Sequence, residues 1–478
     1  MNSVDPGSFR DPAGFVYEAN GQLLRQINTD FDDDYRALID SGLYEALVQK
    51  NWLVPHTEVD LSLAADERAC VIIAPERIPF ISFPYEWSFH QFQAAAVLTL
   101  SIAELAFEHG MVLKDASAYN IQFNGVEPVF IDTLSFARYN KGEPWVGYRQ
   151  YCQHFLAPLA LMSYVEPTLN LLLQSSIDGV ALPTARAMLP RRAFLKPGLL
   201  THLYLHAKSV ERYADIGAED SSSDANTDTK TATNHVAKGS MSELGFRGLL
   251  DSLKSTTKNL PWRDPKTEWG DYYAATNYSD EGMTAKADAV KSFFGLIDAT
   301  TKPRVFDLGA NTGQFSQIAA DLGYYTIAAD IDPVAVDRNF RHQRDEGNEG
   351  LLPLRIDLSA PSPAIGWNNT ERPAFLARLQ PEQNDIVMAL ALIHHLAIGN
   401  NTPLPQIAQM FAGIANQLII EFVPKADSQV KRLLATREDV FPSYTSEGFE
   451  AAFQPYFETV QKENIQSTTR DLYLLKRR

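Results

Sequence analysis

The sequence predicts two folded units joined by a linker, the first α+β and the second a doubly wound, mostly parallel α/β sheet. Three observations carry this. The chain has 478 residues, more than one hydrophobic core usually serves. Its 45% hydrophobic and 21% charged content is that of a globular protein. Residues 217–235, GAEDSSSDANTDTKTATNH, offer almost nothing to bury, and the hydrophobic pattern changes across them. The expected organisation is an α+β unit over 1–165, a helical extension over 166–216, a flexible linker over 217–240 and a second unit over 241–478 with its core at 303–478.

Before the linker, β-rich runs at 14–17, 22–27 and 69–74 read as strands, and 89–109 has the spacing of a long helix. Between 166 and 213 the apolar spacing is helical, interrupted by Pro and Arg. After the linker, strand-like runs at 304–308, 325–329, 352–356, 385–390, 417–422 and 471–476 alternate with helical patterns at 313–322, 333–342 and 405–415. Alternation of this kind builds a parallel sheet covered on both faces. Ligands of such sheets sit beyond the carboxyl ends of the strands, at the point where the strand order reverses. The loops after these runs are therefore where chemistry is expected.

Composition narrows the partners. The formal charge is −17, divided as −10 before Trp269 and −7 from it onward, so neither half carries the positive field that non-specific nucleic-acid binding requires. Cys70 and Cys152 stand far apart without CxxC or Cys/His spacing, which excludes a disulfide framework and a zinc site of the usual pattern. The apolar stretch 94–107 is broken by Glu104 and is shorter than the ~20 residues a bilayer span needs. The amino terminus lacks a positive segment followed by an apolar one, so the expected location is the cytoplasm, with no membrane partner.

The loop after residue 308 is the most informative. A buried run ends in Asp307, and Gly309, Asn311 and Gly313 follow before a helix begins. The spacing is not G-x-G-x-x-G, and no Gly-Lys-Ser/Thr is present, which argues against a nicotinamide fingerprint and an ATPase P-loop. Asn311 tolerates a left-handed backbone better than most residues. The second run ends in Asp330, the third leads to Asp357, and the fourth reads DIVMALALIHHL, with Leu390, His394 and His395. Together these resemble the motifs of class I S-adenosylmethionine (SAM) methyltransferases, with Asn311 in place of a middle glycine. With Asn311-Thr312-Gly313-Gln314-Phe315-Ser316, His394-His395-Leu396-Ala397 and Glu421-Phe422-Val423-Pro424-Lys425, the block also resembles a bacterial group that includes a nodulation-associated methyltransferase.

That resemblance implies a Rossmann-like seven-stranded sheet closing on a terminal antiparallel strand at 471–476, with SAM as cofactor. It makes Asp330 the acceptor of the ribose hydroxyls, sets Asp357 near the adenine, and puts Asp307, Gly309, Asn311, Gly313 and Leu390 around the rest of the donor. Tyr278, in the segment before the first strand, is the expected lid contact. His394 or His395 is the expected proton acceptor, because His titrates near neutrality; Glu421 is a weaker one. The acidity of both portions favours a small-molecule or glycan acceptor over nucleic acid.

A second signature precedes the linker. Asp115-x-x-x-x-Asn120, a strand pair turned at Asn124-Gly125, and then Asp132 resemble the catalytic loop and metal-binding aspartate of protein-kinase-like folds. The resemblance makes Asp115, Asn120 and Asp132 the remnant of a Mg-ATP site. Leu113 stands where His is usual, Thr133-Leu134 replaces Phe-Gly, no glycine-rich loop is evident, and Arg25 is the nearest basic residue on an early strand. The expected role of this unit is acceptor recognition or regulation. The alternatives are a bifunctional kinase–methyltransferase and a pseudoenzyme that only binds.

Overall fold

The computed structural model describes residues 3–209, 240–262, 264–267, 280–297, 303–379, 385–435 and 437–478. All but the last residue of the 217–240 linker falls outside them. Strand β1 (Ser3–Val4) pairs with β2 (Gly14–Ala19), which turns back into β3 (Gln22–Asn28) through Asn20 and Gly21. Both turn residues have positive φ (53° and 76°), the backbone a two-residue hairpin requires. Helices α1 (Asp32–Asp40) and α2 (Leu43–Gln49) lead to β4 (His56–Val59) and β5 (Ala69–Pro75). The resulting sheet has the order β1-β2-β3-β5-β4 and is antiparallel throughout.

Helix α3 (Phe89–Glu108) starts on a reciprocal cap, in which Ser88 N–H donates to Gln91 Oε1 and Gln91 N–H to Ser88 Oγ. Its buried residues recur on every face, so it is wrapped on all sides. Strand β6 (Met111–Leu113), the hairpin β7 (Ile121–Asn124) and β8 (Glu127–Phe130), and β9 (Phe136–Arg138) follow. Short helical segments between residues 148 and 205 complete this half.

Helix α4 (Glu243–Lys258), expected to belong to the second unit, packs on α3 instead. Phe246, Leu250 and Leu253 form its buried stripe; Phe246 stacks on Phe107 at 4.2 Å and Lys254 pairs with Glu104 at 2.7 Å. The reason is a match of apolar stripes that no local sequence signal reports.

The second half begins with α5 (Asp280–Leu296) and runs β10 (Val305–Leu308), α6 (Gln314–Asp321), β11 (Thr326–Asp330), α7 (Pro333–Glu346), β12 (Leu351–Arg355), β13 (Ile386–Ala389), α8 (Leu404–Ile414), β14 (Gln417–Phe422), β15 (Phe457–Asn464) and β16 (Asp471–Arg477). The seven strands take the order β12-β11-β10-β13-β14-β16-β15. β10 to β14 are parallel, and β16 inserts antiparallel between β14 and β15. This order matches the one expected from the methyltransferase resemblance, and it reverses between β10 and β13. β15 is absent from the sequence expectation because all its residues after Phe457 are exposed, leaving no alternation to read.

The halves are not separate cores. Phe80 meets Phe306 edge-on at 5.5 Å, and Asp337 accepts the His90 backbone N–H at 2.9 Å and lies 2.7 Å from its ring Nδ1. Arg378 makes a buried two-pronged ion pair with Glu86 while stacking 4.7 Å over Phe83.

Candidate functional site

The turn after β10 holds Gly309, Asn311 and Gly313 at φ 83°, 49° and 82°. A Cβ on Gly309 would stand 3.2 Å from Leu392 Cδ1, and positive φ there disfavours any other residue. The Asn311 N–H donates to Asp330 Oδ2 at 2.7 Å, and the Asp332 N–H to Asp330 Oδ1 at 2.9 Å. Two backbone amides thus aim the carboxylate at the end of β11. Asp307, at the end of β10, accepts the Ser316 hydroxyl at 2.7 Å. Asp357, half-buried beyond β12, accepts the N–H and hydroxyl of Ser359.

These groups surround one cavity of ≈ 350 Å³ at the reversal point of the sheet. Asp307, Gly309, Asn311, Asp330, Asp357, Leu390 and His395 line it. Gly313 does not: it opens α6 against α7, where a Cβ would stand 2.4 Å from Asn339 Nδ2. His394 is also outside the lining and only 2% exposed. Tyr278 lies outside the described residues. Ala391, in the wall, has φ 51°, a conformation that costs a residue with a Cβ about 1 kcal/mol. A π-helical turn, His395–Gly399, follows it.

Burial dominates the electrostatics. Asp307 and Asp330 are both pushed up to about 6 by desolvation, opposed by the Ser316 hydroxyl at Asp307 and by backbone amides at Asp330. His395 is driven down to about 4 by burial and by Arg470, and His394 falls well below its usual value through burial and its neighbour His395. Both imidazoles are therefore neutral at pH 7, and the expectation of a histidine titrating near neutrality is corrected by burial.

A group legible only in three dimensions lies alongside. Lys286 of α5 pairs with Glu421 at 2.6 Å, Arg470 pairs with the same carboxylate at 3.1 Å, and Arg470 also pairs with Asp427 at 2.8 Å. Lys286, Glu421 and Arg470 are at most 3% exposed. Glu421 is thus the counter-ion of two buried cations rather than a proton acceptor in the cavity, from whose lining it is absent. Burial lowers Lys286 against the pull of Glu421. Nothing in the sequence marks Lys286 or Arg470, since an ion pair sets no spacing along the chain.

The N-terminal set is also brought together. Asp115 accepts the Ser117 N–H (3.0 Å) and Gln150 Nε2–H (2.7 Å), and is raised by burial and by Asp132. Asn120 donates to Ser135 Oγ at 3.2 Å. Asp132 accepts the Ser135 hydroxyl and the Leu134 N–H, and pairs with Arg25 at 2.5 Å. Among the described residues no group of three His, Cys, Asp or Glu side chains is disposed to hold a metal, and no helix is long and apolar enough to cross a membrane.

Comparison with known proteins gives one full-length relative. The chain is 33% identical over 476 residues to the nodulation protein NoeA of Rhizobium meliloti (strain 1021), covering 98% of this chain and 95% of that one. No family model matches. Among solved structures, the bifunctional kinase-methyltransferase WbdD matches at TM-score 0.32 and 12% identity over 46% of this chain and 44% of its own, so the chain spans less than half of it. Magnesium protoporphyrin IX methyltransferase (ChlM) from Synechocystis PCC 6803 with bound SAH matches at TM-score 0.30 and 16% identity, over 41% of this chain and 84% of that one.

Proposed function

The chain belongs to the family of the nodulation protein NoeA, and on that premise we propose that it is a SAM-dependent methyltransferase acting on a small-molecule or glycan acceptor. The observation that carries this is the Asp330 carboxylate, held by the Asn311 and Asp332 amides at the reversal point of a class I sheet and open to the cavity. The residues fit the cofactor. Asp330 offers an oriented acceptor for a ribose diol, Asp357 an acceptor at the next strand end, Leu390 an apolar wall, and Gly309 a backbone that no Cβ obstructs. SAM would supply a methyl group on a sulfonium sulfur, transferred in line to a nucleophile as the positive charge disappears.

The protein's part is to hold donor and acceptor in line, which needs no charge of its own. Neutral His395, in the lining with Leu396 and Asn400, accepts a hydrogen bond from an acceptor hydroxyl, orients its lone pair and takes the hydroxyl proton as the O–CH3 bond forms and the S–CH3 bond breaks. This wall suits an uncharged, hydroxyl-bearing acceptor. The N-terminal half serves acceptor recognition or regulation.

Calorimetry with SAM, followed by transfer of labelled methyl from SAM into fractionated extract, tests the reading; no binding of SAM to the folded chain ends it. His395→Ala is expected to lower the transfer rate about 100-fold, the low end for proton-handling groups, with SAM affinity retained. His394→Ala is expected to act on the melting temperature instead.

The raised carboxylates predict a pH dependence. Below about 6 Asp330 holds a proton and loses an acceptor site, so SAM affinity falls as pH falls, by about tenfold per unit. The stability of the free protein has the opposite sign. The folded state keeps protons on Asp307 and Asp330 that the unfolded chain has released, so this contribution is present below about pH 4 and is lost as pH rises through about 6. Calorimetric titrations and melting curves between pH 4 and 8 read both.

A further inference from the structure

The N-terminal cluster of Asp115, Asn120 and Asp132 is neutralised from within. Arg25 of β3, only 9% exposed, sets its guanidinium 2.5 Å from Asp132 and 3.9 Å from Asp11 in the β1–β2 loop. The second Asp132 oxygen takes the Ser135 hydroxyl. Asp115 is engaged by Ser117 and Gln150. A divalent cation bridging a nucleotide needs these same carboxylate oxygens, and a tethered guanidinium against them opposes a second cation by charge as well as by volume. The residues present do not fit a Mg-nucleotide group.

The face beside this cluster is engaged by the other half of the chain. In the segment between β12 and β13, Glu371 is 4% exposed and takes both prongs of Arg10 from the β1–β2 loop, at 2.5 and 3.2 Å. Its neighbour Arg372 stacks 4.6 Å over Tyr119, the residue before Asn120. Farther along, Arg378 is buried on Glu86. The root of the same segment, Ile356 to Ser359, lines the C-terminal cavity.

We infer that the N-terminal carboxylate cluster is metal-free and that the face beside it docks the chain's own residues 362–379: Arg25 stands in the place of the cation, while the β1–β2 loop and Tyr119 grip Glu371 and Arg372. The dock braces the Asp357 wall of the C-terminal cavity. It depends only on these contacts and not on the methyltransferase reading.

Calorimetry of the full chain with Mg²⁺ alone and with Mg-ATP is expected to give no binding at about 1 mM; a dissociation constant tighter than about 0.1 mM for Mg-ATP overturns the inference. Arg25→Ala is expected to melt at a lower temperature and to be partly restored by Mg²⁺, with the wild type unmoved. Arg25→Lys, which keeps the charge, is expected to fold and still to refuse Mg²⁺. A wild type stabilised by Mg²⁺ as much as Arg25→Ala counts against the cation's place being filled. In hydrogen exchange, Arg10→Ala is expected to raise exchange together in residues 5–13 and 362–379. Unchanged exchange in 362–379 overturns the dock.

Discussion

Asp330→Ala is expected to lower the affinity for SAM by about 100-fold or more while the protein stays folded. The carboxylate is 7% exposed, and its two oxygens are turned by the Asn311 and Asp332 amides toward the cavity. A hydrogen bond to a charged acceptor contributes about 1.5–3 kcal/mol, so two from a ribose diol are worth roughly 3–6 kcal/mol, and even the lower figure is a factor above 100. The fold tolerates the change because Asp330 is a strained guest: burial pushes it up to about 6, so its charge at pH 7 opposes folding, which offsets the two amides left without it. Asp330→Asn keeps one acceptor oxygen and presents an NH₂ to one of the amides, so an intermediate loss of about tenfold is expected. Calorimetry on both variants, with melting curves as the control for folding, reads the difference. Unaltered SAM binding in Asp330→Ala would falsify the placement of the donor.

Glu421→Ala is expected to destabilise the protein by about 3–5 kcal/mol, because it takes from two buried cations, Lys286 and Arg470, the carboxylate they share. At roughly 2–4 °C per kcal/mol for a unit of this size, the melting temperature falls by about 10 °C. Glu421→Gln keeps the shape and hydrogen-bonding capacity and is expected to lose less. The pattern separates the two roles open to this residue. A counter-ion shows its loss in the melting curve, and activity follows stability. A proton acceptor would show a lost rate at an unchanged melting temperature, and that outcome would contradict the structure's account of Glu421. Replacing Lys286 and Glu421 together by Met and Leu is expected to recover part of the stability, since the desolvation cost of both charges goes with them.

The C-terminal elements were legible because their signals are local. Strands β10, β11 and β13 are buried on both faces and read as short apolar runs. β11 ends at Asp330 and β10 runs straight into Gly309, residue types that betray a ligand and a turn, and the left-handed backbone expected for Asn311 is present at φ 49°. Seven of the residues named from motifs line one cavity. Gly313 and His394 do not, for a shared reason: a motif gives chain order, whereas which side of a turn faces the cavity depends on what packs behind it. At Gly313 that is Asn339, and at His394 it is the buried interior of the sheet's carboxyl edge. The N-terminal strands at 14–17, 22–27 and 69–74 were also read nearly to their ends. Strand β4, with half of its residues exposed, was not.

What the sequence determined by itself is the order of strand, glycine turn and carboxylate in the second half, and with it the sheet's topology and the position of a ligand cavity. Hydrophobic period and turn chemistry are properties of neighbours along the chain. What only the tertiary structure decided is which charges meet. Arg25 with Asp132, Arg10 with Glu371, Arg378 with Glu86 and Lys286 with Glu421 are joined across the fold, and the burial that accompanies that folding moves Asp307, Asp330 and His395 away from their ordinary titration. Coulomb interaction and desolvation depend on distance and surrounding dielectric, neither of which is written in residue spacing.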